Sequence, residues 1–154
     1  LLMSTRTTRL WSGTQSFLAL HEFCSISGLV FAAVHALILM GDGFLKTDWL
    51  HILTPFAMNF KQANQSMWVG LGQLGFYLLG VILLSFYVRS KIGFGMWRWL
   101  HFGTFIAFML VTVHGMLAGT DSNSSFMLGV YLLTTGSMMF LTLYRILLMR
   151  AQKT

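Results

Sequence analysis

The chain has 154 residues, enough for one domain, of which 56% are apolar and only 9% are charged. Soluble domains carry about a quarter charged residues, so the composition excludes a water-soluble enzyme as the first expectation. A single cysteine excludes an internal disulfide framework and a four-cysteine zinc site. The net charge of +6 comes from cations scattered between apolar runs, which argues against a nucleic-acid partner.

Four apolar runs are long enough to cross a lipid bilayer, which takes about 20 helical residues. In chain order they are 17–40, 67–88, 98–119 and 127–149. Backbone groups inside a bilayer must be hydrogen-bonded within the protein, and the alternating pattern of a β-barrel is missing, so the runs predict helices. The predicted fold is therefore an all-α membrane protein, a bundle of four transmembrane helices. The apolar stretch 49–60, between the first two runs, is expected at the outer membrane interface.

The cations between the runs predict the orientation. Eight of the ten lie on one side of the bundle: Arg6, Arg9, Arg89, Lys91, Arg98, Arg145, Arg150 and Lys153. The positive-inside rule then places both termini in the cytoplasm and predicts a multi-pass protein of the inner (cytoplasmic) membrane. The chain divides into a cytoplasmic segment 1–16, a transmembrane domain 17–149 and a cytoplasmic tail 150–154. Because the first residue is leucine, the possibility of an additional helix ahead of the sequence stays open.

Four of the five histidines lie inside predicted spans, His21 and His35 on the first and His101 and His114 on the third. Ionisable residues inside a membrane are costly and indicate function by default, although a single histidine is as readily explained by a hydrogen bond to a neighbouring helix. His21 and His35 are 14 residues apart, which is ~21 Å along the helix axis. His101 and His114 are 13 residues apart, which is ~19.5 Å. The two spans run parallel, so His21 is expected level with His101 near the cytoplasm, and His35 level with His114 near the outer side.

Two imidazoles at each level suit a six-coordinate haem iron, and two stacked haems would form an electron path across the bilayer. The angular positions of His101 and His114 disagree with this arrangement. On an ideal helix, a separation of thirteen residues places the second histidine ~140° from the face of the first. Gly28 and Gly115 would admit a flat macrocycle, although ordinary helix packing explains each glycine equally well. Arg98, one turn from His101, is a candidate partner for a haem propionate, with a positive-inside anchor as its alternative role.

The pattern over residues 17–149, nearly the whole chain, resembles the ferric reductase-like transmembrane domain. This family includes NADPH oxidases, ferric reductases and the haem-binding membrane subunit of bacterial methionine sulfoxide reductase systems. Residues 97–101, WRWLH, are similar to the family's W-R-x-L-H pattern, and residues 114–121, HGMLAGTD, to its H-G…A-G-T-D pattern. The histidine spacings of the first and third spans also match the two-haem arrangement of the family. The resemblance implies two b-type haems, a cytoplasmic-side iron held by His21 and His101 and an outer-side iron held by His35 and His114.

The predicted function is transmembrane electron transfer by a di-haem b-type cytochrome, as the membrane subunit of a larger redox system. No dinucleotide-binding motif or flavin domain is recognisable, so no FAD or NAD(P) site is expected in this chain. Separate donor and acceptor proteins, or a quinol, are expected as partners, and whether the chain is itself an enzyme stays open. Four spans are also fewer than the six usual in the larger members of the family.

Three alternatives remain. A quinol-linked cytochrome b subunit would show near-equal histidine spacings and a P-E-W-Y motif, which the sequence lacks, although quinone stays a candidate cofactor near 41–66. A histidine-based metal transporter would add carboxylate or sulfur ligands at the midplane, where this chain has Gly28 and Ala107. If the chain were a cofactor-free structural subunit of a membrane complex, the matched depths of the histidines would have no function.

Overall fold

A computed structural model describes residues 14–41, 47–60 and 64–151. Every regular element in these ranges is a helix. In chain order they are α1 (Thr14–Gly41), α2 (Trp49–Leu53), α3 (Gln65–Tyr87), α4 (Arg89–Ile92), α5 (Phe94–Ala118) and α6 (Ser125–Ala151). The four longest, α1, α3, α5 and α6, are long and apolar enough to cross a membrane. The prediction of an all-α membrane protein with four spans is confirmed, and the helix ends lie within a few residues of the predicted ones.

Several residues used to predict the orientation lie outside the described part of the chain. They are Arg6, Arg9, Lys46, Lys61 and Lys153, and with them most of the predicted cytoplasmic segment 1–16 and of the tail 150–154. The placement of both termini in the cytoplasm therefore stays a prediction.

The chain divides into two compact units. The central unit is Ser25–Ser122, and the terminal unit consists of the described parts of Leu1–Cys24 and Asn123–Thr154. In the terminal unit, the hydroxyls of Thr134 and Thr142 donate to carbonyls four residues earlier, at 2.8 and 2.7 Å. These polar side chains are thus satisfied within α6 itself, as a lipid-exposed helix requires.

Small residues allow α3 and α5 to pack closely in the central unit. Ala107 of α5 is completely buried. A Cβ atom added to Gly75 of α3 would come within 2.8 Å of the Cγ2 atom of Val111, and one added to Gly103 within 3.3 Å of the Cδ1 atom of Ile82. Close approach of small residues is a main source of helix association in lipid, where the hydrophobic effect gives little.

The turn between α3 and α5 is built around α4. Gly93 ends α4 with a φ of 85°, a conformation that glycine adopts without strain, and α5 begins at the next residue. At the end of α3, Arg89 donates from Nη1 to the carbonyl of Phe86 at 2.6 Å, and its guanidinium carbon lies 3.8 Å from the centre of the Phe86 ring. The turn therefore holds a fixed cation beside an aromatic ring at this end of the unit.

The segment expected at the outer interface lies beside α3. Gln73 donates from Nε2 to the carbonyls of His51 and Ile52, at 2.8 and 2.7 Å, and the Tyr77 hydroxyl donates to the carbonyl of Leu53 at 2.6 Å. Tyr77 is twelve residues beyond the start of α3, about 18 Å along the helix axis. Side chains from the third and fourth turns of α3 thus satisfy the last carbonyls of α2, which have no partner within the helix.

The chain leaves α2 through a second contact with α3. Phe56 has a φ of 65°, and its ring occupies the space where Gly70 would carry a Cβ atom. Its carbonyl accepts a hydrogen bond from the hydroxyl of Ser66 at 2.9 Å. This glycine therefore has a steric role, because any side chain at position 70 would displace the Phe56 ring.

Candidate functional site

The structure brings His35 and His114 together within the central unit. His35 lies on α1 and His114 on α5, far apart in sequence. Their ring centroids are 6.4 Å apart, and the ring planes make an angle of 74°. His114 is half-buried and His35 is exposed. These are the two histidines predicted to share the outer level.

The distance between the two rings is compatible with both imidazoles binding one iron. Metal–nitrogen bonds to histidine are about 2.0–2.1 Å long, which places the centroids of two such imidazoles roughly 6 Å apart. Among the described residues there is no group of three or more histidines, cysteines or acids that could hold a bare metal ion. A haem needs only two protein ligands, because its macrocycle supplies the other four. The donor set at this level therefore fits a haem.

A backbone hydrogen bond selects the tautomer of His114. Its Nδ1 atom lies 3.0 Å from the carbonyl oxygen of Trp68 on α3. A carbonyl only accepts, so Nδ1 carries the hydrogen and Nε2 keeps its lone pair. Metal-binding histidines commonly donate their second nitrogen to a backbone carbonyl, which fixes the ring and raises its basicity. His114 is thus prepared to bind a metal through Nε2.

Gly72 provides the space for this arrangement. A Cβ atom added there would come within 2.6 Å of both the Cγ and the Nδ1 atoms of His114. The backbone of α3 therefore lies directly against the imidazole. Sequence reasoning missed both Trp68 and Gly72. Nothing in the sequence indicated that a histidine would lie against the backbone of α3 at Gly72.

His101 is held by an aromatic contact. It stacks on Trp97, four residues earlier on α5, with 5.4 Å between ring centroids and 30° between planes. Trp97 also contacts Phe86 of α3, at 6.3 Å, and Phe94, at 6.5 Å. The indole Nε1 atom of Trp97 is buried and has no hydrogen-bond partner among the described residues. A buried donor without an acceptor is uncommon and calls for an explanation.

A sequence model for the family described as ferric reductase like transmembrane component matches residues 1–112. The chain belongs to this family. The match covers most of the sequence, including His21, His35 and His101, and ends just before His114. No curated protein and no solved structure is significantly similar to the chain. Domains of the ferric reductase-like family generally bind haem, and membership supports a redox role in the membrane.

The other predicted site residues of this ferric reductase-like chain are placed as follows. His21 lies on the part of α1 that belongs to the terminal unit, and His101 lies in the central unit. Their pairing stays a prediction. Arg98 is exposed beside Trp97, which suits either of its two predicted roles. A Cβ atom added at Gly28 would meet nothing within 4 Å, so α1 is open there.

Gly115 has a local structural role. Its carbonyl accepts a hydrogen bond from the hydroxyl of Ser122 at 2.6 Å and another from the backbone N–H of Gly119 at 3.3 Å. These bonds close the end of α5 at Ala118, and the accepting carbonyl is one residue after His114. The two hydrogen bonds order the backbone at Gly115. A contact between Gly115 and a macrocycle stays a prediction.

The fifth histidine belongs to a different arrangement. Asp48 caps α2, accepting from the backbone N–H of His51 at 2.9 Å and pairing with its Nδ1 atom at 2.6 Å. These hydrogen bonds favour the carboxylate and hold the pKa of Asp48 below its ordinary value. His51 is therefore engaged in capping α2.

Proposed function

We propose that this chain carries single electrons across the membrane through two b-type haems. His35 and His114 hold the outer-side haem, and His21 and His101 hold the cytoplasmic-side haem. When bound, haem would supply one-electron transfer, and an iron held by two histidines would have no free position for oxygen. The observation that carries the proposal is the His35–His114 pair, with 6.4 Å between its ring centroids.

The residues around the pair support this role by fixing the ligands in advance. The bond from His114 to the Trp68 carbonyl sets the imidazole plane and leaves Nε2 as the ligand atom. Gly72 keeps the space that the ring occupies. A ligand that is already oriented does not have to reorganise when the iron changes its charge, which favours fast electron transfer over ligand exchange.

The expected setting is the inner membrane, with both termini in the cytoplasm. In that orientation, moving one electron outward is favoured by about 2.3 kcal/mol per 100 mV of inside-negative potential. The donor and acceptor would be separate proteins or a quinol, and the chain would be the membrane subunit of a larger complex. Arg98 is proposed to pair with a propionate of the cytoplasmic-side haem.

Single histidine variants test the assignment of the ligands. His35→Ala and His114→Ala should each remove the same one of two haems, measured as haem b per chain by pyridine haemochrome. His101→Ala and His21→Ala should each remove the other. His51→Ala is the matched control and should keep both, because its ring pairs with Asp48. Full haem content in folded His35→Ala and His114→Ala proteins would contradict the proposal.

A further inference from the structure

We infer that Asp48 and His51 form a proton-donating site for a membrane quinone, which is the electron acceptor at the outer side of the chain. The quinone takes its electrons from the outer-side haem and its protons from His51. The inference rests on the proposed function, because it requires a haem held by His35 and His114. It names the class of the acceptor and gives a second role to two residues whose first role is the capping of α2.

The pairing of Asp48 with His51 leaves one ring nitrogen available to a substrate. Asp48 accepts hydrogen bonds from the backbone N–H of His51 at 2.9 Å and from its Nδ1 atom at 2.6 Å. The Nε2 atom has no hydrogen-bond partner among the described residues, and the His51 side chain is 34% exposed. An aspartate on Nδ1 orients an imidazole and stabilises its protonated form, which then transfers a proton through Nε2. His51 can therefore deliver a proton to a bound molecule.

Contacts with consecutive residues of α3 relate His51 to the outer-side pair. The carbonyl of His51 accepts a hydrogen bond from Nε2 of Gln73 at 2.8 Å, whereas Gly72 lies against the imidazole of His114. Consecutive residues of a helix point about 100° apart, so His51 and His114 lie against adjacent faces of α3 at nearly the same level. His35 belongs to the same central unit and contacts His114. A molecule bound at His51 is therefore beside the outer-side haem ligands.

The surroundings of His51 favour a lipid-soluble molecule. Trp49, Leu50 and Leu53, in the same short helix, are 60%, 68% and 59% exposed. Exposed apolar side chains around a few polar groups are typical of sites that bind apolar ligands or the membrane. A quinone combines an apolar ring and tail with two oxygens that accept protons. The site thus suits a quinone better than a water-soluble acceptor.

The reaction at this site is the reduction of one quinone to hydroquinone, which takes two electrons and two protons. The electrons arrive one at a time, each leaving a ferrous iron ferric, and the iron is reduced again from the cytoplasmic side. Each proton passes from Nε2 of the protonated His51 ring to a quinone oxygen. The ring then regains a proton from water, because it is partly exposed. Electron flow to an outer acceptor has the direction that an inside-negative potential favours.

The test follows reoxidation of the reduced haems in the purified protein by stopped-flow absorbance, with two oxidants. One is a decyl-substituted benzoquinone, and the other is ferricyanide, which takes an electron without a proton. His51→Ala should slow reoxidation by the quinone on the order of 100-fold and leave reoxidation by ferricyanide unchanged. His51→Gln keeps an N–H donor for Asp48 but has no transferable proton, so it should behave in the same way and serves if the alanine variant does not fold.

A matched pair of variants tests the role of the carboxylate. Asp48→Asn keeps an acceptor for the ring but removes the charge that stabilises its protonated form, so only the reaction with the quinone should slow. Asp121→Asn is the control, because Asp121 is an exposed acid in the loop after α5 and the change in net charge is the same. It should keep the wild-type rates with both oxidants. Equal rates with the quinone in the two variants would remove Asp48 from the site.

Binding of the hydroquinone to the fully reduced protein gives a measurement without electron transfer. A hydroquinone hydroxyl donates to Nε2 of neutral His51, so His51→Ala should weaken binding roughly 3- to 10-fold by isothermal titration calorimetry. Unchanged binding, a wild-type rate with the quinone or equal slowing with both oxidants in this variant would overturn the inference. So would wild-type haems that react with ferricyanide but not with the quinone. Wild-type protein without haem would instead overturn the proposed function.

Discussion

The two histidines of α5 are fixed by different kinds of contact. His114 donates a hydrogen bond to the carbonyl of Trp68, whereas His101 stacks on an indole. A hydrogen bond fixes both the ring plane and the tautomer, and a stack fixes only the plane. The tautomer of His114 is therefore set by the backbone of α3.

Gly72→Ala tests the steric role of the glycine beside His114. The added methyl group would come within 2.6 Å of the imidazole, so the ring or the helix must move, at a cost of about 1–3 kcal/mol. We expect loss or a shifted EPR signal of the outer-side haem and a lower unfolding temperature in detergent. Gly80→Ala on the same helix meets nothing within 4 Å and should be neutral or slightly stabilising. Equal behaviour of the two variants would refute the steric role.

Asp48 makes the cap of α2 sensitive to acid. Its folded-state pKa lies below the ordinary value of 3.8, so the stabilisation is fully present above that value and is lost as the pH falls through the lowered pKa. The protection factors for amide exchange of residues 49–53, which are corrected for the pH dependence of intrinsic exchange, should therefore be constant near neutrality and should fall below pH 3.8. Asp48→Asn keeps an acceptor without the titration and should abolish this fall. An unchanged acid response in that variant would assign it to another group.

At the scale of the elements, the short helix α2 depends on side chains of α3. It has five residues, too few to be stable alone, and it buries none of them. Its position comes from Gln73 and Tyr77, which bind its last three carbonyls. The outer segment is thus held by polar contacts at positions well inside the apolar run of α3.

Tyr77→Phe tests this dependence. The change removes the donor to the Leu53 carbonyl and leaves that group unpaired, at a local cost of about 1–3 kcal/mol. Hydrogen exchange of residues 49–53 should increase, while α5 stays protected. Tyr144→Phe removes a hydroxyl from α6, where the ring stacks on Phe140, and should leave residues 49–53 unchanged. Unaltered exchange in Tyr77→Phe would show that α2 is held in some other way.

The elements that the sequence predicts well are those determined by local composition. The four long helices begin and end close to the limits of the apolar runs, because bilayer thickness and backbone hydrogen bonding determine them. The pairing of His35 with His114 also followed from height along the helices. The ideal-helix angle of ~140° between His101 and His114 concerns whether His101 also faces α1, and the pairing of His101 with His21 stays a prediction.

The missed features depend on how the helices are rotated and packed. The Trp68 carbonyl has no sequence signature, and Gly72 becomes informative only once α5 is placed against α3. The contacts of Gln73 and Tyr77 with α2 were also not predicted, since they join residues more than twenty positions apart. Long-range polar contacts of this kind arise from tertiary packing and leave no periodic pattern.

At the scale of the whole molecule, the proposal requires two redox centres at two heights in one membrane chain. Membership of the ferric reductase-like family, four helices suited to crossing a membrane and the His35–His114 pair support it from independent directions. The cytoplasmic-side centre rests on the depth of His21 and on the resemblance of residues 97–101 to the family pattern. The number of haems is therefore the quantity on which the account depends most.

The most direct test is the haem content of the purified wild-type chain. A reduced-minus-oxidised spectrum with pyridine haemochrome quantification should give two haems b per chain, both low-spin with bis-histidine bands. One haem per chain would contradict the path through two levels. Folded protein that contains no haem, although produced with an adequate haem supply, would contradict the electron-transfer account as a whole.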